Sequence, residues 1–346
     1  MRQRVIVFIL LISIILTACS PSEPSVTSTP LPTDTPLVLP TLTSTPVVPL
    51  AILVLPAELD AETSNLYQKT VYDLAQASGY RFQVRNGLTP ADTTEPGLKI
   101  VIALPPDPGI AALAASAPNA QFLAINIPGI TAGANVSTLG GNTQSDIAAF
   151  LAGYTAALIT NDYYIGMMIP KEDPDAARAT TAFRNGMAYY CGLCRPIFYP
   201  AFCLAENLPS CFPQYVEIPP DEDRAKYGPY ADYLIIQRRV QTLYVYPEIA
   251  EPDLLTYIGT TGVLMIGASS PESRPGGWVM TIQPDVIKAI QNAWPQLIGG
   301  QGGITVQSPL GLSDVDPSLL SIGKQRLVQQ TLDELQKGLI NTGVGP

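Results

Sequence analysis

The sequence predicts an α/β protein of two lobes, each a parallel sheet with helices on both faces. Two observations predict it. Short apolar runs rich in Val, Ile and Leu alternate with segments of helical spacing, as strands buried on both faces must. That alternation runs through once and then starts again near residue 164, so the chain holds two consecutive sets.

The first set opens with an apolar run at 51–55, closed by Pro56. A helix is expected over 65–78, where Leu66, Val71, Leu74 and Ala75 precede Gly79. Strands follow at 80–84 and at 100–104, the second stopped by Pro105 and Pro106. A short Ala-rich helix at 109–116, strands at 121–127 and 136–139, and a long Ala-rich helix at 145–160 complete this set. The second set reads as strand 164–169, helix 175–190, strand 215–218, helix 229–240, strand 242–246, helix 252–260 and strand 263–266. The last third adds a strand at 278–282, a helix at 284–297 with Pro at its start, a strand at 304–307 and a closing helix at 321–339. Pieces this short fit a chain that crosses back between lobes. The expected division is 50–141 with 284–302 in the first lobe, and 142–283 with 303–346 in the second: two Rossmann-like lobes joined by hinge strands.

Ahead of the globule, residues 1–18 have the pattern of a secretory signal: Arg2 and Arg4, then an apolar stretch from Val5 to Leu16 broken only by Ser13. The string Leu16-Thr17-Ala18-Cys19 resembles the lipobox of bacterial lipoproteins. That resemblance implies a diacylated Cys19 as the mature amino end, held in the lipid bilayer outside the cytoplasm. Residues 19–49 are dominated by Pro, Thr and Ser, with Thr-Pro at 29–30, 35–36 and 45–46. This composition favours an extended stalk, which at about 3.1 Å per residue reaches up to roughly 90 Å.

Composition narrows the function. With the signal and its two arginines removed, 17 basic residues face 29 acidic ones, a net charge of −12 that repels phosphate backbones, so no nucleic-acid partner is expected. There is no histidine, which excludes Ser-His-Asp and Cys-His catalysis and His-ligated zinc. No G-x-S-x-G or phosphate loop is present, and Leu139-Gly140-Gly141 is too short for a dinucleotide loop. The chain is expected to be no enzyme and to need no cofactor.

Several segments resemble the basic membrane protein family, lipoprotein substrate-binding proteins of periplasmic-binding-protein type I fold. Phe150-Leu151-Ala152-Gly153-Tyr154 resembles that family's "FLAGYLA" helix, and Tyr164-Ile165-Gly166-Met167-Met168 its next strand. Phe183-Arg184-Asn185-Gly186 is similar to its "F-x-x-G" helix, and Phe122-Leu123-Ala124-Ile125-Asn126 to its "FaiiD" strand. The resemblance implies a receptor that closes on a small polar ligand, nucleoside-like in several members, and delivers it to an ABC permease. The opening loop keeps Asp60 and Asn65 of the family pattern. Asn126 stands where an Asp is usual, Ala268, Ser269 and Ser270 where an acid-bearing "vDxDQ" is usual, and Gln283-Pro284 where a lysine is usual. A pocket lacking those acids is expected to take a less hydroxyl-rich or differently charged ligand.

Ligands of open α/β sheets sit outside the carboxyl ends of the strands. On that rule the candidate ligand-binding residues are Asp60, Asn65, Asn126, Asn142, Asp173, Ser269 and Arg274, with Phe183 as a stacking surface. Each also has a plainer reading as a turn, cap or core residue. Cys191, Cys194, Cys203 and Cys211 crowd one irregular segment. In an extracytoplasmic protein they are expected to form two disulfides, with all three pairings open and a four-thiolate metal site as the alternative.

Overall fold

The computed structural model describes residues 47–140, 144–160, 164–192 and 212–345. The signal, Cys19 and nearly all the stalk lie outside the described residues, as do Asn142, Cys194, Cys203 and Cys211. Residues from Val47 onward form one compact unit.

The first set of elements is β1 (Leu50–Val54), α1 (Ala61–Ala77), β2 (Arg81–Arg85), β3 (Leu98–Ala103), α2 (Ile110–Ser116), β4 (Gln121–Ile125) and β5 (Val136–Leu139). The second is α3 (Ser145–Ile159), β6 (Ile165–Pro170), α4 (Pro174–Gly192), β7 (Gln214–Ile218), α5 (Gly228–Asp232), β8 (Thr242–Val245), α6 (Pro252–Gly259), β9 (Leu264–Gly267) and β10 (Trp278–Pro284). Then come α7 (Val286–Ile298), β11 (Thr305–Val306), β12 (Leu310–Ser313) and α8 (Ile322–Gln336). Cys191 falls in the last turn of α4.

Two six-stranded sheets result, ordered β2-β1-β3-β4-β5-β11 and β7-β6-β8-β9-β10-β12. All neighbours in the first sheet run parallel; in the second only β12 is antiparallel, to β10. The period of two splits β1 between two cores: Leu50, Ile52 and Val54 face one layer, Ala51 and Leu53 the other. α7 lays Ala289, Ile290, Trp294 and Leu297 on the first sheet although it follows β10 of the second. The chain therefore passes between the lobes three times, after β5, after β10 and after β11. The passages leave from the carboxyl ends of β5, β10 and β11, and the third enters the second sheet at the carboxyl end of β10, because β12 starts where β10 stops. The two carboxyl edges are thereby brought to the same hinge. There the passages are tied together: Asp285 N–H donates to Pro309 O (2.7 Å), and Gln144 Nε2 donates to Ser308 O (3.0 Å).

α3 and α4 cross at a contact that only glycine permits. A Cβ on Gly153 would lie 2.0 Å from the Phe183 carbonyl oxygen, and one on Gly186 would lie 1.9 Å from that of Phe150. Each Phe-x-x-Gly segment thus rests its glycine on the backbone of the other's phenylalanine.

Four details differ from expectation. β12 was not foreseen, because Pro309 and Gly311 spoil its strand pattern and the strand it pairs with, β10, is remote in sequence. β11 pairs with β5, so residues 303–306 side with the first lobe rather than the second. The helix expected over 229–240 is a single α turn that widens into π-type turns over Tyr233–Gln237. α1 starts at Ala61 rather than 65, since Asp60 caps it. Among the described residues no helix is long and apolar enough to cross a membrane.

Candidate functional site

Strand order reverses between β1 and β3 in the first sheet and between β6 and β8 in the second. At such a switch point the loops leaving the two strands part in opposite directions and open a crevice. Asp60 lies in the loop that leaves β1. Its Oδ1 accepts the Thr63 N–H at 2.8 Å, capping α1. That backbone bond, with help from the Thr63 hydroxyl, holds the Asp60 carboxyl below the ordinary aspartate value. Asp173, in the loop that leaves β6, caps α4 in the same way, accepting the N–H groups of Asp175 (2.7 Å) and Ala176 (3.3 Å). Both candidates thus have a local structural task, each at the start of the first helix that leaves a switch point.

Asp173 also meets the loop after β8. Glu248 is pushed up from its ordinary value by what burial it has, by the charge of Asp173 and a hydrogen bond with it, and by Asp175. Beside them, burial pushes the buried Tyr246 hydroxyl up to about 12, against a lowering hydrogen bond with Ser145 at the start of α3. The second lobe therefore presents an anionic edge at its switch point.

Asn65 is exposed on α1. Asn126 is exposed at the end of β4 in a left-handed conformation (φ 50°), its side chain packed so closely on Gly140 that a Cβ there would lie 2.1 Å from Asn126 Oδ1. Phe183 is placed otherwise than as a stacking surface for ligand. It is buried in the second-lobe core with its ring stacked on Tyr244 at 6.0 Å and 16°. Helical spacing shows that Phe183 has a face to bury, not which way that face looks.

Ser269 and Arg274 are exposed on the loop that leaves β9, and Arg274 lies 3.9 Å from Asp314. Around Asp314 stands a polar cluster that sequence reasoning missed. Its Oδ2 accepts the hydroxyls of Ser270 (2.5 Å), Thr281 (2.8 Å) and Ser313 (3.3 Å). Gln283 Nε2 donates to Ser270 Oγ (3.1 Å) and Ser313 Oγ (3.0 Å), and Trp278 Nε1 donates to Thr281 Oγ1 (3.2 Å). Burial pushes the Asp314 carboxyl up, but the three hydroxyl bonds and the Arg274 charge outweigh it and leave the group below its ordinary value. The unforeseen β12 carries Ser313 and places Asp314 directly after it, so no local signal announced the cluster. Among the described residues no group of three or more His, Cys, Asp or Glu side chains is arranged to hold a metal ion.

Two six-stranded α/β lobes of one strand order, linked by three passages at their carboxyl edges, make the periplasmic-binding-protein type I fold. Solved structures share it. An ABC transporter solute-binding protein from Conexibacter woesei superposes with a TM-score of 0.50 at 16% identity, over 85% of this chain and 98% of its own. A transcriptional activator of the comK gene from Bacillus halodurans gives 0.50 at 11% identity, over 86% of this chain and 100% of its own. An Aeropyrum pernix ABC transporter solute-binding protein aligns over 86% and 93%, with 14% identity and a TM-score of 0.44. No family model and no curated protein sequence matches the chain.

Proposed function

We propose that this chain is a lipid-anchored extracytoplasmic solute-binding protein of an ABC importer, related to the basic membrane protein family. It takes a small polar ligand between its lobes and presents the closed form to a membrane permease. The observation that carries the reading is the pair of like-ordered sheets whose carboxyl edges meet at one three-stranded hinge. The Conexibacter woesei structure of the same fold is itself a solute-binding protein. Asp60, Asn65 and Asn126 would contact ligand from the first lobe, and Asp173, Ser269 and Arg274 from the second. Contacts to both lobes favour the closed arrangement by their differential affinity for it. Cys19 adds effective concentration, because a receptor tied to the membrane meets its permease at short range.

Calorimetry of the full chain against nucleosides, amino acids and sugars tests the binding step, and heat from one class with silence from the others is expected. Incorporation of labelled fatty acid that Cys19→Ser abolishes tests the anchor. A second reading, a ligand-sensing surface lipoprotein without a transporter, draws on Asn126, Ser269 and Ser270 standing where acids are usual in the family. It predicts ligand binding that continues while uptake is unchanged by deletion of the gene.

A further inference from the structure

The cluster around Asp314 has a direction. Each hydroxyl in it accepts one hydrogen bond and donates another: Trp278 to Thr281 to Asp314, Gln283 to Ser270 to Asp314, and Gln283 to Ser313 to Asp314. All three chains end on one carboxylate oxygen, Oδ2, as suits an ionised carboxylate, which accepts and does not donate. Asp314 holds a left-handed conformation (φ 48°) that suits glycine better. The side chain earns its place there as the common acceptor.

The residues joined in this way come from three places. Ser270 belongs to the loop 268–274, which carries Ser269 and Arg274. Thr281 and Gln283 belong to β10, whose last residue, Pro284, begins the second passage between the lobes. Ser313 belongs to β12, which begins just after the third passage. Ser270 N–H also donates to Gln283 Oε1 at 3.2 Å, so backbone as well as side chain of the loop is fastened to the hinge strand.

From this we infer that Asp314 and Gln283 are positioning residues that lock the 268–274 loop to two of the hinge strands, so that loop and hinge move as one piece. The inference rests on the receptor reading above for the loop's place in the ligand crevice. In that setting a ligand seated on Ser269 or Arg274 acts on the hinge directly, without a relay through the second-lobe core. Neither Asp314 nor Gln283 needs to touch the ligand.

Backbone hydrogen exchange of the ligand-free full chain tests the lock. Asp314→Asn is isosteric but removes the charge on which three hydroxyl protons converge, and its NH2 must face either those hydroxyls or Arg274. It is expected to speed exchange about tenfold at the amides of 268–270 and 272–274, which it does not alter, as loss of about one charge-assisted bond would. Ser270→Ala sits on the exposed loop and spares the fold. It is expected to speed exchange reciprocally at 281–283 and 310–313. In both variants β1, β3 and β4 keep wild-type rates. Changes confined to the segment carrying each substitution overturn the lock, and so does uniform acceleration that includes the first sheet. Because no ligand enters this experiment, silence of the calorimetric panel counts against the receptor reading alone.

Discussion

Replacing Gly186 with alanine tests whether the crossing of α3 and α4 is set by backbone contact. Two effects oppose each other. In an exposed helix interior the change stabilises by about 1 kcal/mol, since alanine gives up less backbone freedom. Here the new Cβ would stand 1.9 Å from the Phe150 carbonyl oxygen and 2.7 Å from its carbon. Real Cβ contacts do not fall below 3.0 Å, so the helices must part locally by about 1 Å. The obstacle is backbone, which cannot turn aside as a side chain can. Parting the helices also loosens Ala149, Phe150, Ala152, Ala182 and Phe183, all buried in the same core. Overpacking of this kind costs about 3 kcal/mol at the upper end of its usual range, leaving a net loss of about 2 kcal/mol. Gly153→Ala should behave alike. The double variant should lose less than the two together, because helices already parted leave room for the second methyl. Urea unfolding followed by circular dichroism and tryptophan emission measures this, with Trp278 reporting the second lobe and Trp294 the first. Unchanged or raised stability in both single variants would refute the reasoning.

Other substitutions separate core, crevice and cluster. Phe183→Ala should destabilise by about 3–5 kcal/mol, as loss of a buried aromatic ring does, and should do so equally with and without any ligand in the assay. Glu248→Gln should stabilise slightly near neutral pH: a raised carboxyl pKa means the folded state favours the protonated form, so the ionised Glu248 weakens folding as pH rises, and the amide removes that loss. Thermal melts at pH 4 and pH 7 check it, with the gain expected only at the higher value. For Asp314 the sign is opposite. Its folded value is depressed below 3.8, so its contribution is full above that pH and disappears as pH falls through the folded value; Asp314→Asn should flatten that part of an acid-unfolding curve.

The strand-helix alternation was legible because strands buried on both faces are predominantly apolar, and β1, β3, β4, β6 and β8 are, with Lys99, Gln121 and Thr242 as their polar members. The carboxyl-edge rule then singled out the loops that leave β1, β4, β6 and β9. Asp173 could be read as a helix cap from position alone, since it lies just ahead of the segment expected as a helix, whereas Asp60 stood five residues ahead of its expected helix and its cap became visible only with α1 starting at Ala61. β12 could not be read, since its pairing with β10 is a long-range event and Gly311 carries no strand signal. Asp314 went unseen for the same reason, although it gathers more polar partners than any described residue chosen in advance. The Phe-x-x-Gly segments were noticed as a resemblance, and the crossing of α3 and α4 supplies their physical cause.

Small-angle scattering of the full chain, titrated with whichever compound gives heat in calorimetry, tests the central claim most directly. The two-lobed receptor account predicts a fall in radius of gyration that saturates at the same ligand concentration as the heat. Heat without compaction, or silence across nucleosides, amino acids and sugars alike, would contradict it.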